Sequence, residues 1–157
     1  MRVTVRPGMV VRVPPYFNNQ TMYSLLSRVI VDGEPADTEI ELDFRELRFV
    51  EPVGYTVIAN LIGWLEFYGV KCYFICPEKH LCGEPIHYLD DAGFFRHFLG
   101  QPLFDGARKR DTTLPLAKVA YESSYDWLGN TFVPWMAARL QLTHRSLANI
   151  KVCFGEI

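Results

Sequence analysis

Two cysteines and two histidines, Cys76, His80, Cys82 and His87, lie within twelve residues and are all side chains that can bind zinc. Their spacing does not fit a structural zinc site. Only one residue separates His80 from Cys82, and no Cys-x-x-Cys pair occurs. Cys76 follows an apolar stretch typical of a buried strand, where thiols usually pack as small hydrophobic groups. The sequence therefore predicts no metal site.

Other patterns that carry chemistry are also missing from the sequence. None of the four histidines stands in a recognisable Ser/His/Asp or Cys/His context. No glycine-rich phosphate loop of the Gly-x-Gly-x-x-Gly or Gly-Lys-Ser/Thr type occurs. The acidic pair Asp90–Asp91, close to Gly93, is typical of a helix end. We therefore predict no catalytic residue and no cofactor.

The composition excludes some classes of partner. The net charge is −2, and the longest basic run, 108–110, is flanked by acids, so nothing favours nucleic acid. No apolar run is long enough to cross a membrane. Arg2, Arg6 and Arg12 interrupt the N-terminus before an apolar signal sequence could form. These features predict a cytoplasmic protein with reduced thiols and no membrane partner.

Alternating strands and helices must position whatever site the chain has. The pattern predicts an α/β fold with a central sheet that is parallel in its later part. An N-terminal hairpin is expected from 2–6 and 10–13, which Pro7–Gly8 separates. Further elements are expected as strands at 39–43 and 70–76, and as helices at 22–30, 53–68 and 86–98, the last interrupted at Gly93.

The predicted helix 53–68 is apolar on most of its circumference. We expect one apolar stripe of this helix to face the sheet, formed by Val53, Val57, Leu61, Trp64, Leu65 and Tyr68. Tyr55, Ile62 and Phe67 lie away from that stripe and need a second cover. The sequence offers two covers for this second face: a C-terminal helix carrying two tryptophans, or a second molecule in a homodimer.

Residues 40–54 read Ile-Glu-Leu-Asp-Phe-Arg-Glu-Leu-Arg-Phe-Val-Glu-Pro-Val-Gly. This order resembles the centre of STAS domains, the fold of anti-sigma factor antagonists. The matching residues are the strand-end Asp43, the apolar pair Phe49–Val50, Gly54 at the start of the helix and, downstream, Leu89–Phe98 around Gly93. The resemblance covers about residues 1–100. It implies a STAS-like domain with a central mixed β-sheet and helices packed on it, acting as a regulatory module that binds a protein.

The chain departs from the family pattern where family members are switched by phosphorylation. Such members carry a hydroxyl after an acidic residue, but here Pro52 follows Glu51, and the nearest hydroxyl is that of Thr56. A phosphate at the usual position is therefore excluded. The resemblance implies a regulatory partner, either an anti-sigma factor or a kinase-like protein. We expect it to bind around the start of this helix, at Glu51, Pro52, Val53, Gly54, Tyr55 and Ile62. Glu51–Pro52 is equally a favourable helix start, with an acid and a proline in the first turn.

The remainder of the chain predicts a linker at 101–113 and then a strand-helix-helix extension at 114–157. This extension is similar to the entry to a histidine-kinase-like ATPase domain, in which Glu156 would match the general base. The magnesium-binding Asn and the glycine-rich lid of that family do not occur in these residues. The alternative function is therefore the N-terminal part of such an ATPase or anti-sigma regulatory serine kinase. A helical appendage to the first domain and a small-ligand sensor are further interpretations.

Overall fold

The computed structural model describes residues 8–140 and 142–155. The chain divides into two compact units, with the boundary between Lys109 and Arg110. The first unit combines strands and helices, and the predicted α/β class is confirmed. None of the helices in the described ranges is long and apolar enough to cross a membrane.

The central sheet of the first unit has three parallel strands in the order β1-β5-β7. They are β1 (Met9–Arg12), β5 (Glu39–Asp43) and β7 (Lys71–Ile75). The sequence located all three to within a residue or two. The described strands of this sheet are all parallel. The antiparallel strand expected at 2–6 lies outside the described residues.

Helices cover one side of this sheet. Val11, Leu42 and Phe74 lie in register across the three strands, and the ring centroid of Phe74 is 5.9 Å from that of Phe94. Burying each large apolar side chain here stabilises the fold by about 1.5–3 kcal/mol. The covering helices are α1 (Met22–Val29), α2 (Pro52–Phe67), α3 (Glu84–Asp91) and α4 (Phe94–Leu99).

The opposite side of the sheet is open to water. Val10, Glu41 and Tyr73 lie in register there, and Val10 and Tyr73 are about half exposed. The strict alternation Glu-Ile-Glu-Leu-Asp in β5 follows from this arrangement, because every second side chain of a strand points to the same side.

Two short strand pairs complete the first unit. β2 (Tyr16–Phe17) pairs in parallel with β6 (Phe49–Val50) immediately before α2. β3 (Ile30–Val31) and β4 (Glu34–Pro35) form a hairpin after α1. The turn of that hairpin is Asp32–Gly33, and both residues have positive φ, at 53° and 84°. This backbone is typical of a tight two-residue hairpin turn.

The segment after α4 is bonded to α3. The buried carboxylate of Asp90 accepts the backbone N–H groups of Leu103 at 2.8 Å and Phe104 at 3.0 Å. Asp91 accepts the N–H of Arg108 at 3.0 Å. The first part of the segment predicted as a linker is therefore fixed to the first unit by Asp90 and Asp91.

The second unit is helical and consists of α5 (Ser124–Trp127), α6 (Val133–Arg139) and α7 (His144–Gly155). A π turn at Leu128–Phe132 joins α5 to α6, whose second residue, Pro134, has no N–H for a helical bond. Thr143 caps α7, since its hydroxyl accepts the N–H of Ser146 at 3.2 Å. The strand predicted at 114–121 is wrong. Residues 114–120 are irregular, and Pro115 cannot donate a ladder bond.

Candidate protein-interaction surface on helix α2

The backbone before α2 fixes where the helix begins. Glu51 is the N-cap, and Pro52 occupies the first helical position, as its fixed φ and missing N–H favour. The N–H of Glu51 donates to the carbonyl of Phe17 in β2 at 3.0 Å, and its own carbonyl accepts the N–H of Tyr55 at 3.0 Å. The helix start is therefore attached to the β2-β6 pair.

Gly54 brings the first turn of α2 against β2. A Cβ atom at this position would lie 2.5 Å from the carbonyl oxygen of Phe17 and 2.9 Å from its Cδ1 atom. No real side chain is tolerated at such distances unless the backbone moves. Gly54 is therefore buried for packing and offers no surface to a partner.

Tyr55 and Ile62 do not form an uncovered face, and this expectation from the sequence is wrong. The Tyr55 hydroxyl donates to the carbonyl of Ala92 at 3.3 Å, and its ring packs against Tyr88 and Phe94. Burial raises the pKa of the Tyr55 phenol well above its usual range. Ile62 is only 1% exposed. Helices α3 and α4 supply the cover for Tyr55, so neither a C-terminal helix nor a second molecule is needed there.

Phe67 of the second face is 85% exposed, and the other exposed apolar side chains of α2 belong to the stripe that was expected to face the sheet. The buried side chains of α2 are Ile58, Leu61, Ile62 and Leu65. Val53 is 38% exposed, and Val57 and Trp64 are partly exposed. The stripe is thus turned about the helix axis, and its Val53–Val57–Trp64 edge meets water.

Polar groups on the outer side of α2 are turned back onto the helix. The Thr56 hydroxyl donates to the carbonyl of Pro52 at 2.9 Å, and the Asn60 amide donates to the carbonyl of Thr56 at 3.0 Å. Glu66 is the single charged residue in the whole helix. A helix that faces water normally carries charges on that side, so the outer side of α2 is unusually easy to desolvate.

A groove runs between α1 and α2 beside this edge. Its volume is about 300 Å³, and no charged residue lines it. Its lining residues are Leu26, Ile30, Val57, Asn60, Leu61 and Trp64. We call this groove together with Val53 the α1–α2 face.

An exposed aromatic pair directly precedes α2. Tyr16 and Phe49 lie in register on β2 and β6, and they are 56% and 50% exposed. Phe49–Val50 was noted in the sequence only as the apolar pair of the STAS resemblance, and its pairing with Tyr16–Phe17 was not predicted. The β-prone composition of Tyr16–Phe17 and Phe49–Val50 is the signal that could have indicated these two short strands.

Asp43, the strand-end residue of the STAS resemblance, is held by hydrogen bonds from Arg45. Its buried carboxylate accepts the backbone N–H of Arg45 at 3.0 Å and two guanidinium bonds from Nε at 2.9 Å and Nη2 at 2.7 Å. The side-chain hydrogen bonds from Arg45 hold the pKa of Asp43 below its ordinary value, against the effect of burial. Asp43 therefore fixes the loop that leads from β5 toward α2.

The cysteines and histidines do not assemble into a site. Among the described residues no three His, Cys, Asp or Glu side chains are grouped so that they could hold a metal ion. The Cys82 thiol donates to the carbonyl of Pro77 at 3.3 Å, and His87 packs on the ring of Phe104. Burial raises the pKa of the Cys76 thiol to about 12. Burial therefore disfavours the thiolate, the form in which a cysteine acts as a nucleophile or metal ligand.

Glu156, the residue matched to an ATPase general base, lies outside the described residues, so that alternative stays a prediction. Comparison with known proteins adds no relative: the chain matches no protein-family model, and no curated protein or solved structure is significantly similar to it.

Proposed function

We propose that this chain is a non-catalytic regulatory module that binds another protein through the α1–α2 face, as an anti-sigma factor antagonist does. The observation that carries the proposal is the partly exposed Val53–Val57–Trp64 edge of α2, beside a groove that no charged residue lines. Protein interfaces are depleted of charge at their centre and enriched in aromatic residues. Trp64, at one side of a groove, has the chemistry of a binding hot spot.

The partner that the STAS resemblance implies is an anti-sigma factor or a kinase-like regulator. In switched members of that family, phosphate at the start of this helix controls docking. Pro52 has no hydroxyl, and the Thr56 hydroxyl is bonded to the Pro52 carbonyl. Binding by this chain is therefore expected to be constitutive with respect to phosphorylation at residues 51–54.

The test compares two matched valine substitutions. Val53→Asp places a carboxylate in the first turn of α2, where an acid favours the helix, so the fold is retained while the apolar surface is interrupted. Val10→Asp makes the same change at a half-exposed position on the open side of the sheet. Proteins retained by the immobilised chain are identified, and the affinity of each purified partner is then measured for both variants.

We expect Val53→Asp to weaken binding by about tenfold or more, the equivalent of about 1.4 kcal/mol, and Val10→Asp to leave the affinity unchanged. Trp64→Ala should weaken binding by at least as much as Val53→Asp. Equal affinities of the wild-type and Val53→Asp chains would refute the proposal. Light scattering distinguishes a second copy from a different partner, since a homodimer would become monomeric in Val53→Asp.

A further inference from the structure

The outer edge of β7 carries backbone groups without a neighbouring strand. β7 lies at one end of the β1-β5-β7 order, and among the described residues no strand lies beyond it. On its inner edge, the N–H of Lys71 donates to Thr38 at 3.0 Å, and the carbonyl of Ile75 accepts the N–H of Phe44 at 2.8 Å. Alternate residues of a parallel strand bond to the same neighbour. The N–H and C=O groups of Cys72 and Phe74 therefore point away from β5.

A cleft of ≈ 330 Å³ lies along this edge on the side that the helices cover. The C-terminal half of α2 contributes Ile62 and Glu66, and α4 contributes Phe98 and Leu99. The side chain of Phe74 points to the same side, since its ring packs on those of α4. Every second side chain of a strand added beside β7 would therefore enter this cleft.

The cleft has both apolar and acidic lining residues. Phe98 and Leu99 of α4 are apolar. Glu66 provides the charge, and no Lys, Arg or His of the described residues forms a salt bridge with it. Lys71 is already paired with Glu39 at 3.0 Å. A cationic side chain on the incoming strand would therefore complement Glu66.

We propose that the open edge of β7 binds an extended peptide segment of another protein as an additional strand, and that the cleft selects an apolar side chain two residues away from a Lys or Arg. The main chain of the peptide pairs with Cys72 and Phe74, which supplies affinity independent of sequence. The apolar side chain packs between Ile62 and Leu99, and the cation pairs with Glu66. This is recognition by strand addition, in which alternate side-chain pockets give specificity. The surface is separate from the α1–α2 face.

The test titrates the full chain with two blocked seven-residue peptides. The first peptide has the sequence Thr-Val-Thr-Lys-Thr-Val-Thr. The second has Glu in place of the Lys. The two peptides are compared on the wild-type chain and on Glu66→Lys, an exposed position where the substitution leaves the core intact. Val53→Asp serves as the matched control, because it alters the other surface. Amide hydrogen exchange at saturation reports whether the peptide pairs with β7.

We expect saturable binding of the Lys peptide, binding of the Glu peptide that is weaker by about tenfold, and a reversed preference on Glu66→Lys. Exchange of the Cys72 and Phe74 amides should slow on binding, and Val53→Asp should behave as the wild type does. The proposal is overturned if the Lys peptide does not bind at millimolar concentration or if both peptides bind equally. Binding that leaves the exchange of these two amides unchanged also overturns it.

Discussion

Replacement of either of two glycines in α2 by alanine should change the stability of the fold, in opposite directions. Gly54 lies in the first turn, where an added Cβ would be 2.5 Å from the carbonyl oxygen of Phe17. Gly63 lies in the middle of the helix, and a Cβ there would have no neighbour within 4 Å. Gly54→Ala should therefore destabilise the first unit, while Gly63→Ala should stabilise it.

The magnitudes follow from two competing effects. Alanine in place of glycine inside a helix lowers the free energy of the folded state by about 1 kcal/mol. At Gly63 nothing opposes this gain. Inserting a methyl group into a packed contact costs about 1–3 kcal/mol, and at Gly54 the obstructing atom is backbone, which cannot rotate away. The cost less the helical gain leaves a net loss of up to about 2 kcal/mol for Gly54→Ala, and we expect a gain of about 0.5–1 kcal/mol for Gly63→Ala.

Thermal unfolding measures both changes, with a midpoint shift of about 4–8 °C per kcal/mol for a unit of this size. Because the chain has two units, amide exchange of the β5 residues should accompany the melt and report on the first unit alone. The two positions are about 13 Å apart along the helix, so the double variant should show the sum of the single effects. A stabilised Gly54→Ala chain would refute the reasoning, since the contact with Phe17 would then be too loose to fix the helix.

Two further predictions concern buried carboxylates. Asp43→Asn should destabilise the chain at neutral pH by about 1–2 kcal/mol, because the charge-assisted bonds from Arg45 are lost. Since folding lowers the pKa of Asp43, its contribution is complete above the ordinary value of 3.8 and is lost as the pH falls through the lower, folded value. Urea titrations should therefore show the two chains converging below about pH 4, and a constant difference would contradict this. Asp90→Ala should expose residues 101–108 to proteases while β5 stays protected, because the N–H groups of Leu103 and Phe104 lose their acceptor. An unchanged cleavage pattern would show that these hydrogen bonds do not hold the segment in place.

The sequence predicted those elements whose pattern of apolar and polar residues fits one kind of secondary structure in one position. Strict alternation fixed β5 at 39–43, and Gly93, with φ of 80°, separates α3 from α4 where the helical pattern was interrupted. The rotation of α2 could not be predicted in this way. Its residues are apolar on nearly every side, so periodicity does not indicate which side faces the sheet. Packing decides it, since Gly54 must meet Phe17 and Tyr55 must reach Ala92.

Features that depend on distant contacts were missed for a related reason. Tyr16–Phe17 and Phe49–Val50 are too short to show a period, and they are strands only because they pair with each other. The segment 114–121 has the opposite problem. Its composition suits a strand, but strand structure requires a partner as well as suitable residues. Local sequence therefore overestimated one strand and overlooked the four short strands β2, β3, β4 and β6.

The contact at Gly54 also bears on how the proposed docking surface would bind. Val53 directly precedes Gly54, which packs against Phe17 of β2. The N–H of Glu51 donates to the carbonyl oxygen of the same Phe17. The first turn of α2 is therefore held in place before a partner arrives, and little side-chain or backbone freedom remains to be lost on binding. In the proposed STAS-like role, such a rigid surface would bind without a switch, since Pro52 offers no hydroxyl for phosphorylation. The abundance of the chain, rather than its modification, would then set how much partner is bound.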